Sequence, residues 1–150
     1  MQKITTFLTF KEKGEEAVNF YVSIFKNSKI NHAMSIEGKL VHASFTLDGQ
    51  DFMAMDGGPV FSMAQGMSLF VNCETQEEVD ELWEKLSVGG EKGRCGWLTD
   101  KYGVSWQIIP SALGQLMMSG DAATSARVRE AMLKMNKIEI QGLQQAYDGK

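Results

Sequence analysis

The apolar positions of this chain switch between a period of two and a period near 3.6, and they do so twice in the same order. Ile4 to Phe10, rich in Ile, Thr and Phe, reads as a strand. From Glu15 to Phe25 the apolar residues Ala17, Phe20, Tyr21 and Ile24 fall at helical spacing. Lys29 to Ile36 and Lys39 to Leu47 read as two strands joined near Gly38. The second alternates, with Val41, Ala43, Phe45 and Leu47 on one face and His42, Ser44 and Thr46 on the other. Asp48-Gly49 marks a hairpin, and Gln50 to Met55 is the returning strand, stopped by Gly57-Gly58-Pro59.

The second half repeats the order. Met67 to Asn72 predicts a strand, and Thr75 with Glu78 forms a capping box for a helix through Val79, Leu82, Trp83 and Leu86. Gly89-Gly90 ends it. Short strands over Glu91 to Cys95 and from Trp97 to Asp100 precede a last strand, Val104 to Ile109, stopped by Pro110. The repeat also shows in the residues: Glu15-Glu16-Ala17-Val18-Asn19-Phe20-Tyr21 aligns with Glu77-Glu78-Val79-Asp80-Glu81-Leu82-Trp83. On that offset Thr6 falls on Ser68, or on Gly66 if the register slips by two. The hairpin glycines Gly49 and Gly103 place Met53 on Gln107 and Phe52 on Trp106. Two matches in the right order predict a duplicated module. Beyond Pro110 a helix or turn over Ala112 to Met118 is followed by a helix capped by Thr124 or Ser125 and running to about Met135. There Val128, Ala131, Met132 and Met135 point inward. A last helix covers Glu139 to Tyr147. The expected class is α+β: one domain over 1–150, with modules over about 1–58 and 66–110 and a helical tail over about 111–150 that packs on the same core or on a partner subunit.

Composition narrows the chemistry. A chain of 150 residues buries roughly 68–70% of its extended surface, enough for one core without staples. The net charge of −4 argues against a nucleic-acid partner. Two cysteines exclude a disulfide framework, and two histidines cannot supply a three-histidine metal site from one chain. No apolar run approaches the ~20 residues of a membrane span. The opening Met-Gln-Lys-Ile-Thr-Thr has no signal-peptide core, so a reducing, cytoplasmic setting is expected.

Asn19-Phe20-Tyr21, Asn72-Cys73-Glu74-Thr75, Cys95-Gly96-Trp97 and the run from Asp100-Lys101-Tyr102-Gly103 to Ile109-Pro110 resemble the PhnB-like branch of the vicinal oxygen chelate superfamily. This is the glyoxalase/bleomycin-resistance group, and the branch carries the label demethylubiquinone methyltransferase-like. Arg127-Val128, Ala131-Met132-Leu133 and Lys137-Ile138 in the tail also look like that branch. The resemblance implies two tandem βαβββ modules forming a curved, barrel-like mixed sheet around a cavity. It also implies homodimers, and a divalent metal held by His, Gln or Glu on the first and last strands of each module. Those positions fall on Thr6, Met53, Ser68 and Gln107, which are poor ligands together, so no metal and no cofactor is expected.

The expected cavity candidates are therefore Thr6, His42, Met53, Ser68 and Gln107, lining a site for a small molecule. Gln107 would be the leading polar contact, on the face of Ser105 and Ile109. Metal chemistry would require His42, Asp51 and Gln107 to converge as relocated ligands of a lyase, isomerase or dioxygenase. Non-catalytic sequestration of a drug-like ligand is the other alternative. Methyl transfer fits poorly, since the turn after the first strand, Lys11-Glu12-Lys13-Gly14, has a single glycine. His32 is expected at the surface, Cys95 to be inert, and Asp100 to bond the amides of its turn. Met53, Met55, Met63 and Met67 are candidates either for a pocket or for core filling.

Overall fold

The computed structural model describes residues 2–150, which divide into two compact units, one ending at Ala64 and one running from Gln65 to Lys150. The first unit contains β1 (Thr6–Phe10), α1 (Gly14–Ile24), β2 (Lys29–Ile36), β3 (Lys39–Leu47) and β4 (Gln50–Asp56). The second contains β5 (Leu69–Cys73), α2 (Gln76–Ser87), β6 (Glu91–Lys92), β7 (Trp97–Thr99) and β8 (Ser105–Pro110). Three helices follow, α3 (Ser111–Ser119), α4 (Ala122–Leu133) and α5 (Ile140–Tyr147). The βαβββ order is therefore present twice. Hydrogen bonding groups the strands into two separate four-stranded sheets, ordered β1-β4-β3-β2 and β5-β8-β7-β6, instead of one barrel-like sheet. In each sheet the first strand is parallel to the last and the other pairs are antiparallel.

In the first unit, Leu8, Phe10, Phe45, Phe52 and Ala54 are buried beneath Ala17, Val18 and Tyr21 of α1. Phe45 and Phe52 stack with ring centroids 5.4 Å apart. Each fully buried large apolar side chain contributes about 1.5–3 kcal/mol. The N-terminus of α1 is capped from a distance, because the Lys13 side chain makes no cap. The buried Asp56 carboxylate instead accepts from Gly14 N at 2.8 Å and Leu40 N at 2.9 Å. A Cβ on Gly14 would sit 2.7 Å from Asp56 Oδ1, which is why this position is glycine.

The alternation expected for β3 is interrupted. The register shifts between Met34 and Ser35, leaving Val41 as an extra, exposed residue, while Leu40 is fully buried. This β-bulge resets which side chains face the core. A second shift lies between Ile30 and His32.

In the second unit, α2 starts at the expected cap, Thr75 accepting from Glu78 N at 3.2 Å, and buries Val79, Leu82, Trp83 and Leu86. The tail packs on this unit. Ile109, Leu113, Val128, Ile138 and Leu143 form one buried cluster. Gln76 holds the approach to α5 from both sides, donating to Ile138 O at 3.0 Å and accepting from Ile140 N at 2.7 Å. The cap of α4 is Asp121, which accepts from Thr124 N at 2.8 Å, and not Thr124 or Ser125. An aspartate outcompetes the later hydroxyls because its carboxylate reaches the exposed N–H groups one turn earlier. No helix among the described residues is long and apolar enough to cross a membrane.

Candidate functional site

The first sheet has one face under α1 and one free of helices. In the second, α2 covers one face and the tail helices cover the Ile109 end of the other, leaving the Gln107 end open, and the candidate side chains divide between these faces. On β1, Leu8 and Phe10 point to α1, so strand alternation puts Thr6 on the same helix-facing side. Thr6 therefore does not share a face with Met53. The residue opposite Met53 is Phe7. The cause is one residue of loop: three residues separate β1 from α1, and two separate β5 from α2. Helix alignment pairs Thr6 with Ser68, whereas strand register pairs it with Leu69. Met53 is half-buried on the helix-free face, beside Ser44 of β3. His42 is half-buried on that face too, and His32 joins it from the edge strand, exposed as expected, with ring centroids 5.8 Å apart.

The second unit brings its two candidates together. Gln107 Nε2 donates to Ser68 Oγ at 2.9 Å. Gln107 is flanked in register by Phe70 on β5 and Trp97 on β7, so one amide lies between two aromatic side chains in a single cross-strand row. Phe70 is 59% exposed and Trp97 is half-buried. Beside this row opens a cleft of about 520 Å³, with Gln65, Glu91, Arg94, Trp97, Thr99 and Ser105 in its walls.

Other titratable groups are structural. Asp100 is buried, and one carboxylate oxygen accepts from Tyr102 N at 2.8 Å and Val104 N at 3.0 Å. The other accepts from Trp106 Nε1 at 2.8 Å, a partner not read from the turn sequence. Asp51 accepts from Thr46 Oγ1 at 2.9 Å, and Thr46 Oγ1 accepts from Asn31 at 3.1 Å. Burial, reinforced by Glu78 and Glu74, pushes the Cys73 thiol up to about 12, so it stays protonated and unreactive. Cys95 has a left-handed backbone and holds the tail, its N–H donating to Met135 O at 2.9 Å. Met67 is 77% exposed and fills no core.

The divalent-metal site implied by the resemblance does not fit these residues. Phe7 and Met53 offer no oxygen or nitrogen, and the single neutral amide oxygen of Gln107 is a poor anchor for a divalent ion. Among the described residues no three His, Cys, Asp or Glu side chains are grouped to hold an ion.

The architecture recurs in solved structures. Protein PA1353 from Pseudomonas aeruginosa is 21% identical, with 73% of this chain matching 98% of that one at a TM-score of 0.60. The fosfomycin resistance protein FosX from Listeria monocytogenes, solved with Mn(II) and sulfate, is 16% identical over 71% of this chain and 89% of that one, at a TM-score of 0.53. The fold is that of the glyoxalase, or vicinal oxygen chelate, superfamily. Within it, a PhnB protein from Bacillus cereus is 43% identical, with 73% of this chain covering 100% of that one at a TM-score of 0.70. The family model for 3-demethylubiquinone-9 3-methyltransferase matches residues 2–109, and the chain belongs to this PhnB-like family. The match leaves α3 to α5 outside it. The comparison with curated proteins gives no match.

The cofactor in the family's name fits poorly too. S-adenosylmethionine sites usually lie on open, parallel, doubly wound sheets. Here each sheet has a single parallel pair, and the first N–H of α1 is already taken by Asp56.

Proposed function

We propose that this protein binds a small, flat, partly aromatic molecule on the open end of the second sheet's face opposite α2, as a homodimer and without a divalent metal. The observation that carries the reading is the row Phe70–Gln107–Trp97. Aromatic side chains supply apolar area at low entropic cost, and one fixed amide between them orients a polar atom of the ligand. The Ser68 hydroxyl that receives the Gln107 N–H leaves the amide oxygen available to accept from the ligand. The adjoining cleft, with the Thr99 and Ser105 hydroxyls and the Arg94 guanidinium in its walls, favours a ligand carrying an oxygen-rich or anionic group.

The test is a titration of chelator-treated protein with naphthalene-2-carboxylate, followed by tryptophan fluorescence. Trp97 is the reporter, because Trp83 and Trp106 are buried. The expected result is saturable quenching, weakened at least about fivefold in Gln107→Ala through loss of one oriented hydrogen bond, and no change in melting temperature with Mn(II). Non-saturable quenching, or quenching unaltered in Gln107→Ala, would remove the proposed site. A rise of several degrees on adding Mn(II) would restore a metal-dependent reading, since a ligand bound only to the native state raises its stability by mass action. Sedimentation as a single chain at micromolar concentration would overturn the dimer.

A further inference from the structure

The helix-free face of the first sheet holds a second constellation that the aromatic row does not use. We infer that His32, His42 and Met34 form a surface site for a soft copper-class cation, bound as Cu(I). The residues come from adjacent antiparallel strands. Met34 of β2 lies directly opposite His42 of β3, and His32 lies directly opposite Ser44, so His32 and His42 are diagonal neighbours. Their ring centroids are 5.8 Å apart with the planes inclined by 39°. With each ring nitrogen about 2 Å from a shared ion, two imidazoles at this separation can bind it between them by small rotations of their side chains. Directly opposed residues on antiparallel strands have Cβ atoms about 4.5–5.5 Å apart, which leaves the flexible Met34 thioether within reach of the same point.

The local backbone supports this placement. The register shift between Ile30 and His32 leaves Asn31 as an extra residue, whose side chain donates to Thr46 Oγ1 at 3.1 Å on the helix-free face. Bulges of this kind re-aim neighbouring side chains. The bulge seats His32 beside Ser44 on that face. Among the described residues no hydrogen bond or ion pair engages either imidazole, so both rings are free to ligate. The donor set then selects the metal. Imidazole suits zinc, nickel, iron and copper, and soft sulfur suits zinc and Cu(I); a neutral thioether, unlike a charged thiolate, favours the soft monovalent Cu(I) over Zn(II). The site has no carboxylate and no thiolate, which disfavours hard cations. No electron transfer is involved.

The test uses the full chain, kept anaerobic with ascorbate, competing for Cu(I) against the chromophoric chelator bicinchoninate. One equivalent per chain is expected. His32→Asn and His42→Asn should each weaken binding by more than about a hundredfold, beyond the roughly 10–100-fold that loss of an outer-shell partner costs. Met34→Leu should weaken Cu(I) binding and leave any Zn(II) binding unchanged. Cys95→Ser should have no effect, and Cys73 is buried and protonated. Absence of competition with the chelator would overturn the site. So would unchanged stoichiometry in the His32→Asn/His42→Asn double variant, or loss of binding in Cys95→Ser. Met34→Leu without effect on Cu(I) would remove the copper assignment and leave a bare imidazole pair. Circular dichroism of each variant separates loss of ligand from loss of fold, which is not expected at these positions on an exposed edge strand and its neighbour.

Discussion

Asp56 and Asp100 are the buried carboxylates of the two units, and each organises its surroundings by accepting hydrogen bonds. Asp100 bonds residues two, four and six positions ahead, all within one tight hairpin. Its role was legible because a short carboxylate before Tyr102-Gly103 has few other partners. Asp56 bonds Gly14 and Leu40, 42 and 16 residues away. No local pattern announces such a contact. Gly14, where a Cβ would strike the carboxylate, is the only sequence trace of it. Asp100→Asn keeps the size but turns an amide N–H₂ toward N–H donors. A buried donor left without an acceptor costs about 1–3 kcal/mol, so the variant should lose that much or more. Urea unfolding followed by tryptophan fluorescence measures it, with the exposed Asp148→Asn as a control expected to be neutral. Equal stability of the two variants would mean that the Asp100 bonds contribute nothing net.

At the scale of elements, period and turn residues identified the strands and helices, but single-residue events changed the faces. The Val41 bulge puts Leu40 into the core where simple alternation placed Val41. The loop before α2, one residue shorter than that before α1, moved Thr6 off the face expected for it. Gln107 and Met53 occupy matching register positions of β8 and β4, because the hairpin glycines align these strands with no loop of unequal length between. The tail helices were legible from apolar spacing, whereas their attachment through Gln76 and the Cys95-Gly96 backbone was not. That attachment predicts coupling. Leu143 is fully buried at the centre of the tail cluster, and Leu143→Ala should cost about 2–5 kcal/mol. The amides of Cys95 and Gly96, which donate to Met135 and Asn136, should then exchange with solvent faster. Hydrogen exchange with peptide resolution checks this. Faster exchange confined to α4 and α5 would show that the tail is a separate cooperative unit.

For the whole molecule, the family's name and the chain's architecture point to different chemistry. Methyl transfer from S-adenosylmethionine needs a site for an adenosine and a charged sulfonium. The usual solution is the edge of an open parallel sheet, where a glycine-rich turn lets backbone approach the cofactor. In this protein the duplicated module yields two small sheets that are mostly antiparallel, and each loop from first strand to helix is already committed. One is closed by Asp56 on Gly14 N, and the other by Glu78 on Glu74 N at 2.8 Å and Thr75 on Glu78 N. The N–H groups at these three positions are therefore not available to a cofactor. The open faces instead present Met53, Phe7 and the imidazoles in one unit and the Phe70–Gln107–Trp97 row in the other. Titration calorimetry with S-adenosylmethionine up to about 1 mM should therefore give no saturable heat, a concentration that would reveal any affinity tighter than about −4 kcal/mol. The melting temperature should likewise stay constant. A one-to-one isotherm would show that a methyl-donor site exists outside the strand-to-helix loops. In that case Gln107→Ala and Trp97→Ala, which weaken an aromatic ligand, would reveal whether the two molecules share the open face of the second sheet.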